Sequence, residues 1–339
     1  MKIQILCTLG PASLSPEVIG QLDQAGVDLF RINLSHTRLE ALEPCIELVQ
    51  RASSKPLCLD LEGAQVRCGT MAPGVALREG DPVRLTAAPV EGTAGELSLW
   101  PRSVFAALRV GSLVTIDFDG AQVRVCEVGE EHAEAVVVDA GKVRSDKGVV
   151  VDPAPTLPAL TDKDRTAIAL GMARGIRHVA LSFASSAADV ELVRSLAPAT
   201  QVIAKIESGA GVRNMDGIID RSDAVLIDRG DLSREVPLEY VPFYQKAIAR
   251  RANRWSRPVY VATNLLESMV SNRNPTIAEA NDVANTLLDG VHGLVLAAET
   301  AIGRDPVGIV RMISRMIRAF ESSNFATLLD RDHPEAVAS

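Results

Sequence analysis

Short runs rich in β-branched residues recur along the chain, separated by segments with a helical spacing of apolar positions. The runs read as strands are IQILCTL, LFRINLS, PLCLDLE, HVALSFA, VIAKIE, AVLIDR, VYVAT and GLVLAAE. Most are apolar at successive positions rather than alternately, as expected of strands covered on both faces. Between them lie SPEVIGQLDQAG, TDKDRTAIALGMARG, AADVELVRSLA, LEYVPFYQKAIARRANRW and TIAEANDVANTLLDG. Several of these open on Ser, Thr or Asp and close on Gly, the residues that cap helix ends. About eight strand–helix repeats around one core predict a (β/α)8 TIM barrel rather than a doubly wound open sheet.

The alternation breaks between about residues 63 and 156. There the sequence turns to DPVRLTA, GSLVTIDF, QVRVCEV, EAVVVDAG and GVVVD, with Gly and charged turns between. This predicts a small β-rich cap domain at 63–156, inserted into a barrel formed by 1–62 and 157–325. The insertion follows the third strand at its C-terminal end, the face where barrel active sites lie. The last stretch, 326–339, has weak periodicity and reads as a tail.

Composition changes this picture little. The chain has 339 residues, 47% of them hydrophobic, and a net charge of −8, which argues against nucleic acid as the main partner. No apolar run reaches the roughly 18 residues of a membrane span, and the N-terminus reads as a first strand rather than a signal peptide. Five cysteines with no C-x-x-C spacing suit reduced thiols in a cytoplasmic protein.

The charged residues at strand ends carry the chemistry. In VIAKIE, Lys205 and Glu207 stand two apart and share one face of a strand end. Other strand ends present Arg31, Asn33 and Ser35, then Asp60, Ser182, Asp231 and Thr263, with Glu299 and Thr300 on the eighth. Carboxylates, two cations and hydroxyls converging on one mouth suit a divalent metal and a phosphate.

These words resemble the pyruvate kinase family along almost the whole chain. CTLGPAS, FRINLSH, LPALTDKD, IAKIES, RGDL, VATNLLESM, PTIAEANDVANTLLDG and ETAIGRDP follow in the family's order. The resemblance implies phosphoryl transfer from phosphoenolpyruvate to ADP, giving pyruvate and ATP. It implies that Glu207 and Asp231 ligate Mg²⁺ or Mn²⁺, and that Lys205 and Arg31 neutralise the moving phosphoryl group. Thr263 then stands beside the carbon that is protonated. Ser182 lines the substrate site, and backbone N–H groups near Gly230 and Asp231 receive the substrate carboxylate. On this reading Lys205 and Glu207 are held apart by ligand and metal rather than paired. For nucleotide the resemblance points to Asn33, His36, Arg67 and Lys147. For K⁺ it points to Asn33, Ser35, Asp60 and the carbonyl of Leu61. It also implies a homo-oligomer, here expected as a dimer through barrel helices. The family's further α/β domain has no counterpart after the last barrel helix, so control by a sugar phosphate bound there is not expected.

Several positions depart from the family pattern. Leu61, Glu62, Ala64 and Gln65 replace Thr, Lys, Pro and Glu, Asp146 and Ile302 each replace a Lys, and Asp228 is an added acid. Cations expected around a polyphosphate are lost, whereas the donor pocket is retained. Two alternatives follow: another acceptor or pyruvate-enolate chemistry of aldolase or lyase type, and a non-catalytic ligand-binding paralogue.

Overall fold

The structure, a computed structural model, describes residues 2–63, 65–117 and 120–323; the expected tail at 326–339 lies outside them. Eight parallel strands close a barrel: β1 Gln4–Leu9, β2 Leu29–Asn33, β3 Leu57–Asp60, β4 His178–Leu181, β5 Gln201–Lys205, β6 Ala224–Asp228, β7 Val259–Ala262 and β8 Gly293–Leu296. Neighbours in the ring follow chain order, and β1 closes it by pairing with β8, Gln4 opposite Gly293. A Cβ at Gly293 would meet the Gln4 carbonyl at 2.7 Å, so the seam needs glycine there.

The helices between strands are α1 Pro16–Ala25, α2 Leu39–Ala52, α3 Asp162–Ala173, α4 Ala187–Leu196, α5 Gly209–Arg213, α6 Met215–Arg221, α7 Arg229–Glu235, α8 Val241–Arg254, α9 Ile277–Leu288, α10 Ala298–Ala301 and α11 Pro306–Ser322. Their ends follow local chemistry. Ser15 caps α1 by accepting the Val18 N–H, Pro16 opens it, and Gly26 ends it at φ 110°. Thr276 and Glu279 form a capping box on α9. Each long helix buries one face; α11 turns Val310, Ile313 and Ile317 inward.

Two strands stop earlier than the sequence pattern suggests. β6 ends at Asp228 and Asp231 lies in the first turn of α7, while β8 ends at Leu296 and Glu299 and Thr300 lie on α10. The reason for the second is visible in the hydrogen bonds. The Glu299 carboxylate accepts the N–H groups of Ala297 and Leu266, which turns the chain out of the barrel directly after the strand.

The chain divides into two compact units, the barrel unit of Met1–Glu62 resuming at Asp162, and a second unit, Gly63–Thr161. The second unit has a seven-stranded sheet and a two-stranded ribbon. The sheet's edge strands, Arg67–Cys68 and Val149–Asp152, meet through a bridge between Arg67 and Gly148, which makes the sheet barrel-like. It has its own core, including Leu85, Leu97, Leu99, Val114 and Val123. Among the described residues no helix is long and apolar enough to cross a membrane.

Candidate active site

Strand parity explains where the polar layer sits. Leu6, Leu29, Cys58, Ala180, Ile203, Leu226, Tyr260, Ala262 and Val295 pack as one cluster inside the barrel. Two residues further along the strands, on the same face, come Thr8, Arg31, Asp60, Ser182, Lys205 and Asp228, all buried. The apolar plug therefore gives way to a polar layer at the C-terminal end of the barrel, the face on which such barrels place their chemistry.

Lys205 is the hub of that layer. Its ammonium lies 3.0 Å from Glu207 Oε2, 3.5 Å from Asp228 Oδ2 and 3.6 Å from Asp60 Oδ1. It also donates to Ser182 Oγ at 3.2 Å, and that hydroxyl donates to the Leu61 carbonyl at 2.7 Å. Lys205 and Glu207 form an ion pair here, because in a buried layer the nearest carboxylates are the counter-charges on offer. Burial opposes the charge on Lys205, but Asp60, Glu207 and Asp228 outweigh it and hold its pKa above the ordinary range.

Arg31 lies across the layer. Its Nε donates to Thr8 Oγ1 at 2.9 Å, and its Nη1 is 3.2 Å from Asp60 Oδ2 without hydrogen-bond geometry. Burial disfavours its charge, yet Asp60 and Asp228 raise its pKa further. Burial also pushes Glu207 up to about 8, with Asp231 and Asp228 adding to the rise and Lys205 opposing it. For Asp228 burial acts upward as well, but Lys205 and Arg31 prevail and keep its carboxyl below the usual range.

Thr263 follows β7 directly and holds φ 69°, a left-handed conformation that a β-branched residue rarely adopts. Its hydroxyl lies 2.6 Å from the Ala262 carbonyl and 3.2 Å from Asp228 Oδ1, and it accepts the Gly230 N–H at 2.8 Å. The Gly230 N–H is thereby directed at Thr263.

One oxygen from each of Glu207, Asp228 and Asp231 lies within 4.8 Å of the others. Glu207 Oε1 accepts the Phe183 N–H at 2.8 Å, whereas Oε2 is fully buried with no hydrogen bond. A hard divalent cation takes carboxylate oxygens, so this donor set fits Mg²⁺ or Mn²⁺. Two of the K⁺ candidates carry bonds of their own. Asn33 Oδ1 accepts the Ser35 N–H at 2.9 Å, and the Leu61 side chain is wholly buried with its carbonyl taken by Ser182.

The nucleotide candidates are divided between the two units. Asn33 and His36 belong to the barrel unit, and Arg67 and Lys147 to the other. His36 is exposed, and Arg67 Nη1 donates to the Asp146 carbonyl at 3.0 Å. Ile302 is 60% exposed, and Glu62 pairs with Lys163 at 3.5 Å. Sequence reasoning gave no role to Thr8, which positions Arg31, or to Asp228. Both share the strand parity of the polar layer, and that parity was the available signal.

Comparison with known proteins gives this arrangement a lineage. Residues 1–310 match the family model for the pyruvate kinase barrel domain. The chain is 36% identical over 334 residues to a pyruvate kinase of Mycobacterium tuberculosis strain H37Rv, covering 95% of this chain and 71% of that protein. It is 37% identical over 350 aligned residues to one from Methylorubrum extorquens, covering 100% of this chain and 73% of the relative. A pyruvate kinase of Geobacillus stearothermophilus is 36% identical over 329 residues, 93% of this chain and 56% of its own length. On this coverage, together with the closed eightfold barrel, the chain belongs to the pyruvate kinase family.

Proposed function

We propose that the protein is a phosphotransferase that moves the phosphoryl group of phosphoenolpyruvate to ADP, giving pyruvate and ATP. The observation that carries this reading is the buried Arg31–Lys205 pair facing across one layer, with Arg31 Nη1 lacking a hydrogen bond. Two buried cations cost free energy unless an anion compensates them. Asp60, Glu207 and Asp228 compensate them here, and a phosphoryl group takes over part of that role once a divalent cation draws carboxylates away; preorganised cations are most of what its transfer requires.

In this reading Glu207 and Asp231 hold the divalent cation, which when bound offsets the negative charge of carboxylate and phosphoryl oxygens. Lys205 leaves the Glu207 carboxylate to the metal and turns to the phosphoryl oxygens. Arg31, fixed by Thr8, holds the same group from the other side. The P–O bond to the enol oxygen breaks as the ADP oxygen bonds to phosphorus, leaving enolpyruvate. Thr263, held by Gly230 and Asp228, stands beside the carbon that then takes a proton. Ser182 keeps the Lys205 ammonium in place. The Asn33, Ser35, Asp60 and Leu61 oxygens are the K⁺ candidates, and Asn33, His36, Arg67 and Lys147 the nucleotide candidates. We infer a cytoplasmic setting from five free thiols. We also infer a homodimer, supported by the large exposed hydrophobic side chains of Leu238 and Tyr240, just before α8, and Phe243 in its first turn.

A second reading rests on a specific observation. Glu62 and Asp146 are acids and Ile302 is apolar where the family pattern has cations, which favours an acceptor less charged than a nucleoside diphosphate. The assay follows pyruvate release from phosphoenolpyruvate and Mg²⁺, with and without ADP and K⁺. ADP-dependent pyruvate formation supports the first reading. Phosphoenolpyruvate binding without ADP-dependent turnover shifts the weight to the second, which a screen of aldehydes and 2-oxo acids then develops. Absence of binding by either phosphoenolpyruvate or pyruvate refutes both.

A further inference from the structure

Asp228 is the acid that the family pattern lacks, and it sits at the centre of the polar layer. It ends β6, is 5% exposed, and shares a carboxylate cluster with Glu207 and Asp231. Its Oδ1 is 3.2 Å from the Thr263 hydroxyl, which fixes the carboxylate, and its Oδ2 is 3.5 Å from Lys205. One further observation points to a cation here: Glu207 Oε2 is fully buried without a hydrogen bond, and it faces the Lys205 ammonium at 3.0 Å, a positive charge where a metal ion would stand.

We propose that Asp228 is a third carboxylate ligand, so that Glu207, Asp228 and Asp231 bind one divalent cation before any substrate arrives. This rests on the metal reading above and extends it. Two carboxylates leave most of an octahedral shell to ligand and water, so metal affinity depends on the substrate's oxygens. A third carboxylate adds both a bond and a charge, the two quantities that tune affinity for hard cations. The spacing allows this: at roughly 2.1 Å per bond, ligands on Mg²⁺ stand about 3.0 Å apart when adjacent and about 4.2 Å when opposite, so the three oxygens, now within 4.8 Å of one another, draw together around the ion by side-chain rotation. Lys205 must yield, and Arg234, 3.1 Å from Asp231 Oδ1, shares that carboxylate with the ion. The Lys205 ammonium now bridges Glu207 and Asp228, and Asp60 at 3.6 Å gives it a partner to keep when the cation takes those two carboxylates. The order of binding follows: cation first, with the 2-oxo acid or its phosphorylated enol then meeting a metal already in place.

The test is titration of the full chain with MnCl₂ alone, by calorimetry and by loss of the free Mn²⁺ electron paramagnetic resonance signal, then again with oxalate present. The wild type is expected to bind one Mn²⁺ without oxalate. Asp228→Asn, which keeps the shape and the Thr263 contact, is expected to weaken that binding at least about tenfold, as loss of one charged ligand implies. With oxalate present the same variant is expected to lose much less, because Glu207, Asp231 and oxalate complete the shell. Thermal melts confirm folding, and Asp228→Ser serves if the Asn variant is unstable. Unchanged Mn²⁺ affinity in Asp228→Asn overturns the proposal and reduces Asp228 to a counter-charge for Lys205. So does a wild type that binds Mn²⁺ only with oxalate, a result that leaves the metal reading intact. If Glu207→Gln and Asp231→Asn also bind Mn²⁺ and oxalate normally, the metal reading itself fails.

Discussion

Replacing Lys205 by Met tests whether the polar layer is held together by its one central ammonium. Met keeps most of the volume and removes the charge. The ammonium lies 3.0, 3.5 and 3.6 Å from three carboxylates and is 5% exposed. At an effective dielectric near 20 each such pair is worth about 5 kcal/mol before desolvation. Taking the ammonium out of water costs several kcal/mol, which offsets much of the attraction; deleting one partner of a buried pair typically destabilises by about 3–5 kcal/mol. A raised folded-state pKa means this stabilisation is fully present below the unfolded lysine value of about 10.4 and is lost only as pH rises through the higher folded value, so at pH 7 it is whole. The assay is thermal unfolding of the barrel unit in a Trp100→Phe background, where Trp255 is the only tryptophan and lies in that unit. A loss of that size lowers the midpoint by on the order of 10 °C. Added Mn²⁺ is expected to recover part of the loss, since a cation again faces the same carboxylates. A Lys205→Met variant as stable as the wild type would refute the argument, because the carboxylates would then need no central counter-charge.

Three further outcomes follow from the same geometry. Asp231→Ala is expected to abolish Mn²⁺-dependent oxalate binding in calorimetry while leaving the melt nearly unchanged, because Asp231 is half-buried on α7 rather than in the core. Burial acts to raise the Glu279 pKa, but the bonds it accepts from the N–H and hydroxyl of both Ser268 and Thr276 together outweigh burial and hold the pKa below the ordinary value. Glu279→Ala is expected to cost about 1 kcal/mol, as capping losses do; the contribution is present above the unfolded value of about 4.3 and fades as pH falls below it, so wild type and variant should converge in acid melts. Sedimentation at micromolar concentration is expected to show a dimer, and Phe243→Glu to shift it toward monomer; a wild-type monomer refutes the α8 surface as the interface.

Periodicity made the barrel legible, and strand parity made much of its mouth legible. Lys205 and Glu207 share a face because two residues separate them, and the same spacing links Leu29 to Arg31 and Cys58 to Asp60. Where the ladder stops is not written in that pattern. Asp231 and Glu299 look like strand-end residues, but the hydrogen bonds that turn the chain come from partners distant in sequence, such as Leu266 to Glu299. The segment of α2 carries Pro44 in its interior, which obscures a helical signal that Leu42, Ile46 and Val49 otherwise supply. In the second unit the strand Glu96–Trp100 follows EGTAG, whose turn residues mask it. At Asn33 the side chain accepts the Ser35 N–H, a local bond that strand parity does not encode. The full ion pairing of Lys205 was out of reach, because it depends on which carboxylates two other strands bring within 4 Å beside its own neighbour Glu207.

The seam between β1 and β8 sets a schedule for the chain as it is made. Gln4 cannot meet Gly293 until nearly the whole barrel sequence has left the ribosome, on the order of 15–60 s at about 5–20 residues per second. Until then β1 has one bare edge, and an unpaired edge is a template for wrong partners. Gly63–Thr161, with a core of its own, is under no such delay and is complete well before the barrel can close. The nascent protein therefore spends its synthesis as a finished small unit tethered to an open sheet. A chaperone that shields sheet edges would raise the yield of this chain more than one that acts after release.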